Sequence, residues 1–174
     1  MLTAIKITLL THGKEFAKPS NTGRLVVDIL GNAAEQVRWE RTSPPADLVK
    51  EIEAGGVALI YPGAADEPES DLTGIRQFII IDSTWHEARK IHQKSPYLRN
   101  VSRFCLKSIE KSAYNLRKNQ KESGLCTAEC VIRILRSTGH SEAAERLQES
   151  FLAFIRPDKA AADETQIKSA MAGL

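Results

Sequence analysis

Four consecutive residues, Asp82-Ser83-Thr84-Trp85, combine a carboxylate, two hydroxyls and a large aromatic ring. They directly follow residues 78–81, an uninterrupted apolar run typical of a buried strand, and they precede a helical pattern. Because ligands bind at the carboxyl ends of strands in open α/β sheets, Asp82 could act there as a base or orient a cation. The structural alternative is that Asp82 or Ser83 caps the helix and that Trp85 is a core residue.

Two turns could bring the backbone close to a ligand. Residues 61–63 (Tyr-Pro-Gly) end another apolar run, and a glycine there allows close approach. Residues 20–23 (Ser-Asn-Thr-Gly) could present N–H groups and hydroxyls to a carboxylate or phosphate at a helix N-terminus. Each turn also has an ordinary explanation, as the end of a strand and as helix capping. Neither a Gly-x-Gly-x-x-Gly sequence nor a Walker loop is present, which removes support for dinucleotide and P-loop chemistry.

The cysteines and histidines form no recognisable metal or nucleophile motif. Cys126 and Cys130 are four positions apart without a nearby histidine, which is a poor zinc set, so we expect them to be small buried residues. No metal is therefore expected. Among the four histidines only His12, in the loop after the first predicted strand, is a candidate for the site.

The elements that would position these residues alternate between strand and helix. Apolar periodicity predicts strands at residues 4–11, 36–41, 57–61, 77–81 and 103–107. Helices are predicted at residues 24–30, 47–54, 84–94, 127–137 and 141–155. We expect Ser20 or Asn21 to cap the first helix and Asp47 to cap the second. Because runs that are apolar at every position suit strands buried on both faces, the predicted fold class is α/β, a mostly parallel sheet flanked by helices.

Composition favours a globular cytoplasmic protein. The 174 residues are 42% hydrophobic and 26% charged, which excludes wholesale disorder. The longest apolar runs are far shorter than the roughly 20 residues of a membrane span, and the N-terminus lacks the features of a signal peptide. Three cysteines, an odd number, favour a reducing compartment. We expect one domain over residues 1–156, a flexible tail over residues 157–174, and no membrane partner.

The basic residues are concentrated in one part of the chain. Residues 87–121 contain ten Lys or Arg and two acidic residues, a net charge of +8, although the whole chain carries only +2. A basic block on a nearly neutral protein fits a face that binds RNA or another polyanion. The alternative is a pair of solvated helix faces whose lysines serve solubility.

Five motifs in a fixed order carry a family resemblance. They are T-H-x-x-E-x-x-K-P-S-N-T-G-R-L (residues 11–25), L-I-Y-P-G (59–63), D-S-T-W-x-x-A-R-K (82–90), Y-x-L-R-K (114–118) and L-C-T-A-E-C (125–130). Together they resemble the DTW-domain family, which is named for its Asp-x-Thr-Trp string. The resemblance covers residues 5–152, most of the chain.

The resemblance implies a tRNA-uridine aminocarboxypropyltransferase. Such enzymes move the 3-amino-3-carboxypropyl group of the cofactor S-adenosylmethionine to N3 of a uridine and leave methylthioadenosine. The family looks related to a ribosomal-RNA enzyme with a SPOUT-like fold, which implies a C-terminal trefoil knot in this chain. The expected partner is tRNA or another structured RNA.

The resemblance also implies roles for individual residues. Asp82 would be the catalytic base that takes the N3 proton. The cofactor would be bound by Thr22, Pro62, Gly63, Trp85, Leu125, Cys126 and Thr127. RNA phosphates would be bound by four residues of the basic block, Arg89, Lys90, Arg117 and Lys118.

Two departures from the family pattern leave alternatives open. Many members carry an N-terminal cysteine cluster with zinc-type spacing that this sequence does not show. The final motif, usually Leu-Ser-Thr-x-Glu-Ala, has Cys126 and Cys130 here. The alternatives are a SPOUT-like RNA methyltransferase, which would transfer the methyl carbon of the same cofactor, and an RNA-binding module without catalysis. No DNA partner is expected, and the sequence predicts no oligomeric state.

Overall fold

The structure is a computed structural model that describes residues 4–62, 70–106 and 124–156. One sheet contains the five strands β1 (Lys6–His12), β2 (Ala34–Trp39), β3 (Val57–Ile60), β4 (Gln77–Asp82) and β5 (Ser102–Phe104). Their spatial order is β2-β1-β4-β3-β5, and every neighbouring pair is parallel. The prediction of an α/β fold with a parallel sheet is therefore confirmed.

Helices cover both faces of the sheet. They are α1 (Gly23–Leu30), α2 (Ala46–Ala54), α3 (Trp85–Lys94), α4 (Thr127–Ser137) and α5 (Ser141–Ile155). Because successive strand residues point to opposite faces, the sheet has two cores. Leu9 of β1 packs in the core with α1, α4 and α5, whereas Leu10 packs in the core with α2 and α3. Both side chains are fully buried.

The neighbouring strands β1 and β4 define where a ligand can enter. From β1 the chain runs through α1 to β2 on one side of the sheet, and from β4 it runs through α3 to β5 on the other. β1 and β4 are neighbours, so the loops after them diverge and leave a crevice at their carboxyl ends, as in other open α/β sheets. Thr11 pairs with Asp82 in register at this point.

Several element boundaries differ from the sequence predictions by a few residues, and three of the differences have identifiable reasons. β2 is shifted two residues toward the N-terminus because its pairing with β1 ends where His12 meets Trp39. α2 begins at Ala46, so Asp47 is not the cap and lies in the first turn, where a negative charge is still favourable. The cap of α3 is Thr84, whose hydroxyl accepts the Glu87 N–H at 3.4 Å.

Several predictions concern residues outside the described ranges. The described residues do not show the trefoil knot, and the tail, residues 157–174, lies outside them. Both stay predictions. Within the described ranges, no helix has the length and apolar character needed to span a bilayer.

Phe151 tests how firmly α5 holds the core. Its ring is 1% exposed and packs with α4 and the sheet, so Phe151→Ala should destabilise the protein by ~3–5 kcal/mol. The matched control is Phe154→Ala. The Phe154 ring lies on the same helix but is only half-buried, so its loss should cost less stability. Chemical denaturation of both variants beside the parent chain gives the comparison. Equal losses would contradict an anchoring role for Phe151.

Candidate functional site

The carboxylate of Asp82 lies at the crevice between β1 and β4 and is 1% exposed. Four donors from distant parts of the chain surround it. Oδ2 lies 3.1 Å from the Thr11 hydroxyl, 2.9 Å from Asn21 Nδ2 and 3.4 Å from Gln36 Nε2. Oδ1 accepts the Thr127 hydroxyl at 2.7 Å. We call these five residues the Asp82 network.

The donors are unevenly divided between the two carboxylate oxygens. Each oxygen can accept about two hydrogen bonds, so the three donors at Oδ2, one of them shared, fill that oxygen, whereas Thr127 is the one donor at Oδ1 among the described residues. The shared donor is the Thr11 hydroxyl, which also lies 3.1 Å from the Leu9 carbonyl and has one hydrogen to give. No ion pair among the described residues includes Asp82. Hydrogen bonds and the nearby positive end of α4 therefore compensate this carboxylate.

The start of α4 is held against the crevice by a second set of bonds. Thr22 is 3% exposed, and its hydroxyl accepts the Ala128 N–H at 3.2 Å, which satisfies a first-turn amide of α4 from outside the helix. Glu129 Oε2 accepts the Cys126 N–H at 2.9 Å, as in a capping box. Thr127 is thereby placed where its hydroxyl meets Asp82.

Glycine is required at position 23 because the network is packed tightly around it. A Cβ there would lie 2.7 Å from Asp82 Oδ2, 2.9 Å from Asn21 Oδ1 and 3.0 Å from Gln36 Nε2. Cβ contacts shorter than 3.0 Å essentially do not occur, so a substitution must displace the side chains of Asp82 and Asn21. The glycine lets the start of α1 approach the carboxyl ends of the strands.

A different set of side chains lies on the α3 side of the same edge. The His12 ring stacks on Trp39 with 5.9 Å between centroids, and its Nδ1 accepts the Lys14 N–H at 3.2 Å. His12 Nε2 lies 3.8 Å from a Glu87 carboxylate oxygen of α3. Trp39 Nε1 donates to the buried Ser95 hydroxyl at 2.9 Å. His12 therefore has structural partners on β2 and α3.

Three rings lie in a row beside α3: Trp85 and His92 belong to this helix, and Tyr61, which follows β3, lies between them. Trp85 and Tyr61 are tilted with centroids 5.8 Å apart, and Tyr61 and His92 are 4.6 Å apart. Burial raises the pKa of Tyr61, and the positive charges of Arg89 and Arg103 oppose that rise. Trp85 is half-buried, an intermediate position between a core residue and an exposed one.

The structure brings together only some of the predicted site residues. Asp82, Thr22 and Thr127 meet in one place, and Leu125 and Cys126 directly precede that part of α4. Pro62 is exposed just after β3, and Arg89 and Lys90 are exposed on α3, where Lys90 pairs with Glu87 at 3.4 Å. Three predicted residues lie outside the described ranges: Gly63, Arg117 and Lys118.

Sequence reasoning missed Thr11 and Gln36 as members of the site. Thr11 lies on β1, which pairs with β4, and Gln36 lies on β2, which pairs with the other edge of β1. Both side chains point to the face of the sheet that carries Asp82. A signal was available for Thr11, since a polar residue at the end of an apolar strand is a candidate ligand or network residue. For Gln36 the signal depends on strand order, which one sequence does not reveal.

The described residues contain no group of three or more His, Cys, Asp or Glu side chains that could hold a metal ion. The thiols near α4 are poor ligands and poor nucleophiles for a physical reason. Burial raises the pKa of Cys130 to about 12, and burial together with the Glu129 charge raises the pKa of Cys126 beyond that of an ordinary thiol. Both therefore stay protonated near neutral pH.

An all-parallel sheet with a buried polar cluster at its switch point places this chain among the open α/β domains, whose ligands bind at that point when they have one. The DTW domain matches residues 1–157, so the chain belongs to the DTW-domain family. It is 28% identical over 93 residues to tRNA-uridine aminocarboxypropyltransferase 2 of Drosophila melanogaster. The match covers 52% of this chain and 37% of that relative's length. No solved structure gives a significant match.

The Gly23→Ala variant tests the tight packing of the Asp82 network. We expect a loss of about 1–3 kcal/mol in unfolding free energy, because the network must move apart to admit the methyl group. Gly13→Ala is the matched control. Its added Cβ would meet only the end of the flexible Arg38 side chain, at 2.8 Å, so it should cost much less. Thermal melting of both variants measures the difference, and similar melting temperatures would argue against the network as a packing constraint.

Proposed function

We propose that this chain is a tRNA-uridine aminocarboxypropyltransferase that transfers the 3-amino-3-carboxypropyl group of S-adenosylmethionine to N3 of a uridine. The observation that carries the proposal is the Asp82 network. It joins the carboxyl ends of β1 and β4 to the start of α4 through hydrogen bonds to one buried carboxylate. Membership of the DTW-domain family and the named Drosophila relative support the same reaction.

The donor and acceptor pattern of the network suits the amino-acid end of this cofactor. When bound, S-adenosylmethionine supplies a methylene carbon activated by the neighbouring sulfonium. The Thr127 hydroxyl gives its hydrogen to Asp82, so its lone pairs are left to accept a hydrogen bond from an ammonium group. The negative charge of Asp82 behind Thr127 favours that ammonium further. Thr22 would act by holding α4 in place for this contact.

The remaining predicted cofactor residues would surround the adenosine and the sulfonium. Trp85 offers a half-buried ring whose face could attract a sulfonium cation. Pro62 and Gly63 would border the adenosine at the end of β3, and Leu125 and Cys126 would border it at the start of α4. Positioning the reacting carbon against N3 is the main contribution that such a pocket can make.

The role of Asp82 in this reaction follows from its neighbours. Oδ1 has an acceptor position beyond its bond with Thr127, but the carboxylate is 1% exposed, so taking a proton from N3 would require its neighbours to uncover it. The network therefore favours a positioning role for Asp82, acting through Thr127. The sequence-based prediction that Asp82 is the catalytic base stays a prediction that kinetics can decide.

The reaction is tested by incubating the protein with total tRNA and S-adenosylmethionine, followed by nucleoside mass spectrometry. We expect an aminocarboxypropyl uridine in the digest and an equal amount of methylthioadenosine. S-adenosylhomocysteine with a methylated nucleoside would replace this proposal by the methyltransferase alternative. No cofactor binding in calorimetry would overturn the proposed transfer in favour of an RNA-binding module. Cofactor binding without any product would overturn the transfer without supporting that module.

Asp82→Asn separates the two roles of this carboxylate. The amide puts an NH₂ group among donors, so we expect a loss of ~1–3 kcal/mol in stability from an unpaired buried group. If Asp82 positions Thr127, the KM for S-adenosylmethionine should rise while kcat at saturation stays within about tenfold. If it is the base, kcat should fall ~10²–10⁴-fold at saturation. Thr127→Val is the companion variant and should reproduce the rise in KM.

A further inference from the structure

Two rings beside the site form a surface that has no role in the Asp82 network. Tyr61 follows β3, His92 lies on α3, and their centroids are 4.6 Å apart with the planes inclined by 31°. Both residues are half-buried, so each keeps some solvent-accessible surface. We call this the Tyr61–His92 pair.

The pair is surrounded by positive charge. Arg89 lies on α3, three positions before His92 and so on the same helix face. Arg103 lies on β5 in register with Leu59 of β3, which places its side chain on the α3 side of the sheet. The charges of Arg103 and Arg99 act on His92, and those of Arg89 and Arg103 act on Tyr61. All three arginines are exposed.

The protonation of His92 fits an aromatic role. Burial, together with the charges of Arg103 and Arg99, lowers the pKa of His92 below that of an ordinary histidine. The ring is therefore neutral at physiological pH, and no ion pair among the described residues includes it. A neutral ring beside a tyrosine offers aromatic surface for a base, and the cations around the pair suit phosphates.

We propose that the Tyr61–His92 pair is a stacking platform for an unpaired base of the RNA, with Arg89, Arg99 and Arg103 binding the flanking phosphates. Specific RNA readers stack unpaired bases on aromatic side chains in this way. Trp85 contacts Tyr61 and lies three residues after Asp82 in the chain. The platform is therefore near the carboxyl end of β4, where the Asp82 network lies. A base held on the platform would place its neighbour near the site. This inference rests on the proposed RNA substrate and adds the surface that would hold it.

The test measures binding without the cofactor, so that it does not depend on the reaction. The probe is a fluorescent single-stranded oligouridine of about ten nucleotides, followed by anisotropy over a range of salt concentrations. Tyr61→Leu and His92→Leu should each weaken binding by about 5- to 150-fold, the range of one lost stacking contact. Tyr61→Phe and His92→Phe keep a ring and should stay close to the parent affinity.

The salt dependence separates stacking from charge. The leucine variants should leave the slope of log affinity against log salt unchanged, because they remove no cation. Arg103→Gln should flatten the slope by about 0.7, the value for one phosphate on a single strand. Arg146→Gln on α5 removes an exposed charge elsewhere and is the control, with no change expected.

Each outcome bears on the platform separately from the transferase. Parent-like affinity in both leucine variants, or an equal loss in the phenylalanine variants, would overturn the platform even if tRNA is modified. A loss confined to the leucine variants would support it even if no transfer product forms. Melting curves check that each variant is folded, and if one leucine variant unfolds, the other ring decides the question. A parent chain that does not bind the oligouridine would also overturn the platform, while the nucleoside assay would still judge the reaction.

Discussion

A carboxylate that is removed from water must be compensated, and in this protein that requirement shapes the site. Asp82 is 1% exposed and has no salt bridge within the described part of the chain. Its compensation comes from the end of β1, the loop before α1, strand β2 and the start of α4. Leaving one such group unpaired costs about 1–3 kcal/mol. The site can therefore form only when the sheet has its register and α4 is docked.

Docking of α4 is the step that completes the network. The Thr22 hydroxyl accepts a hydrogen bond from an amide in the first turn of α4, and Thr127 of the same turn donates to Asp82. Residues on both sides of the crevice therefore hold the start of α4. α4 and α5 pack in the core with α1, which gives this polar contact an apolar support. A ligand bound at Thr127 would thus be held by a helix whose position depends on three other elements.

The pleat of β1 divides the edge of the sheet between two kinds of chemistry. Thr11 and His12 are consecutive, so one points to the Asp82 network and the other to the rings on the α3 side. The first side has a buried carboxylate with hydroxyl and amide groups, which suit a small polar group, and the second has aromatic rings and cations. In the proposed function, one edge would serve both a small charged cofactor and a polymeric substrate.

Sequence patterns alone determined the local elements and the general position of the site. α4 and α5 have their predicted bounds because strong helical periodicity and nearby caps are local signals, and Asp82 was placed correctly at a strand end for the same reason. The strand order, the switch point and the donors Thr11 and Gln36 were decided only by the tertiary structure. Periodicity shows which residues share a face of one element but not which elements are neighbours. A buried carboxylate finds its partners through those neighbours, so its environment is a property of the packed sheet and helices.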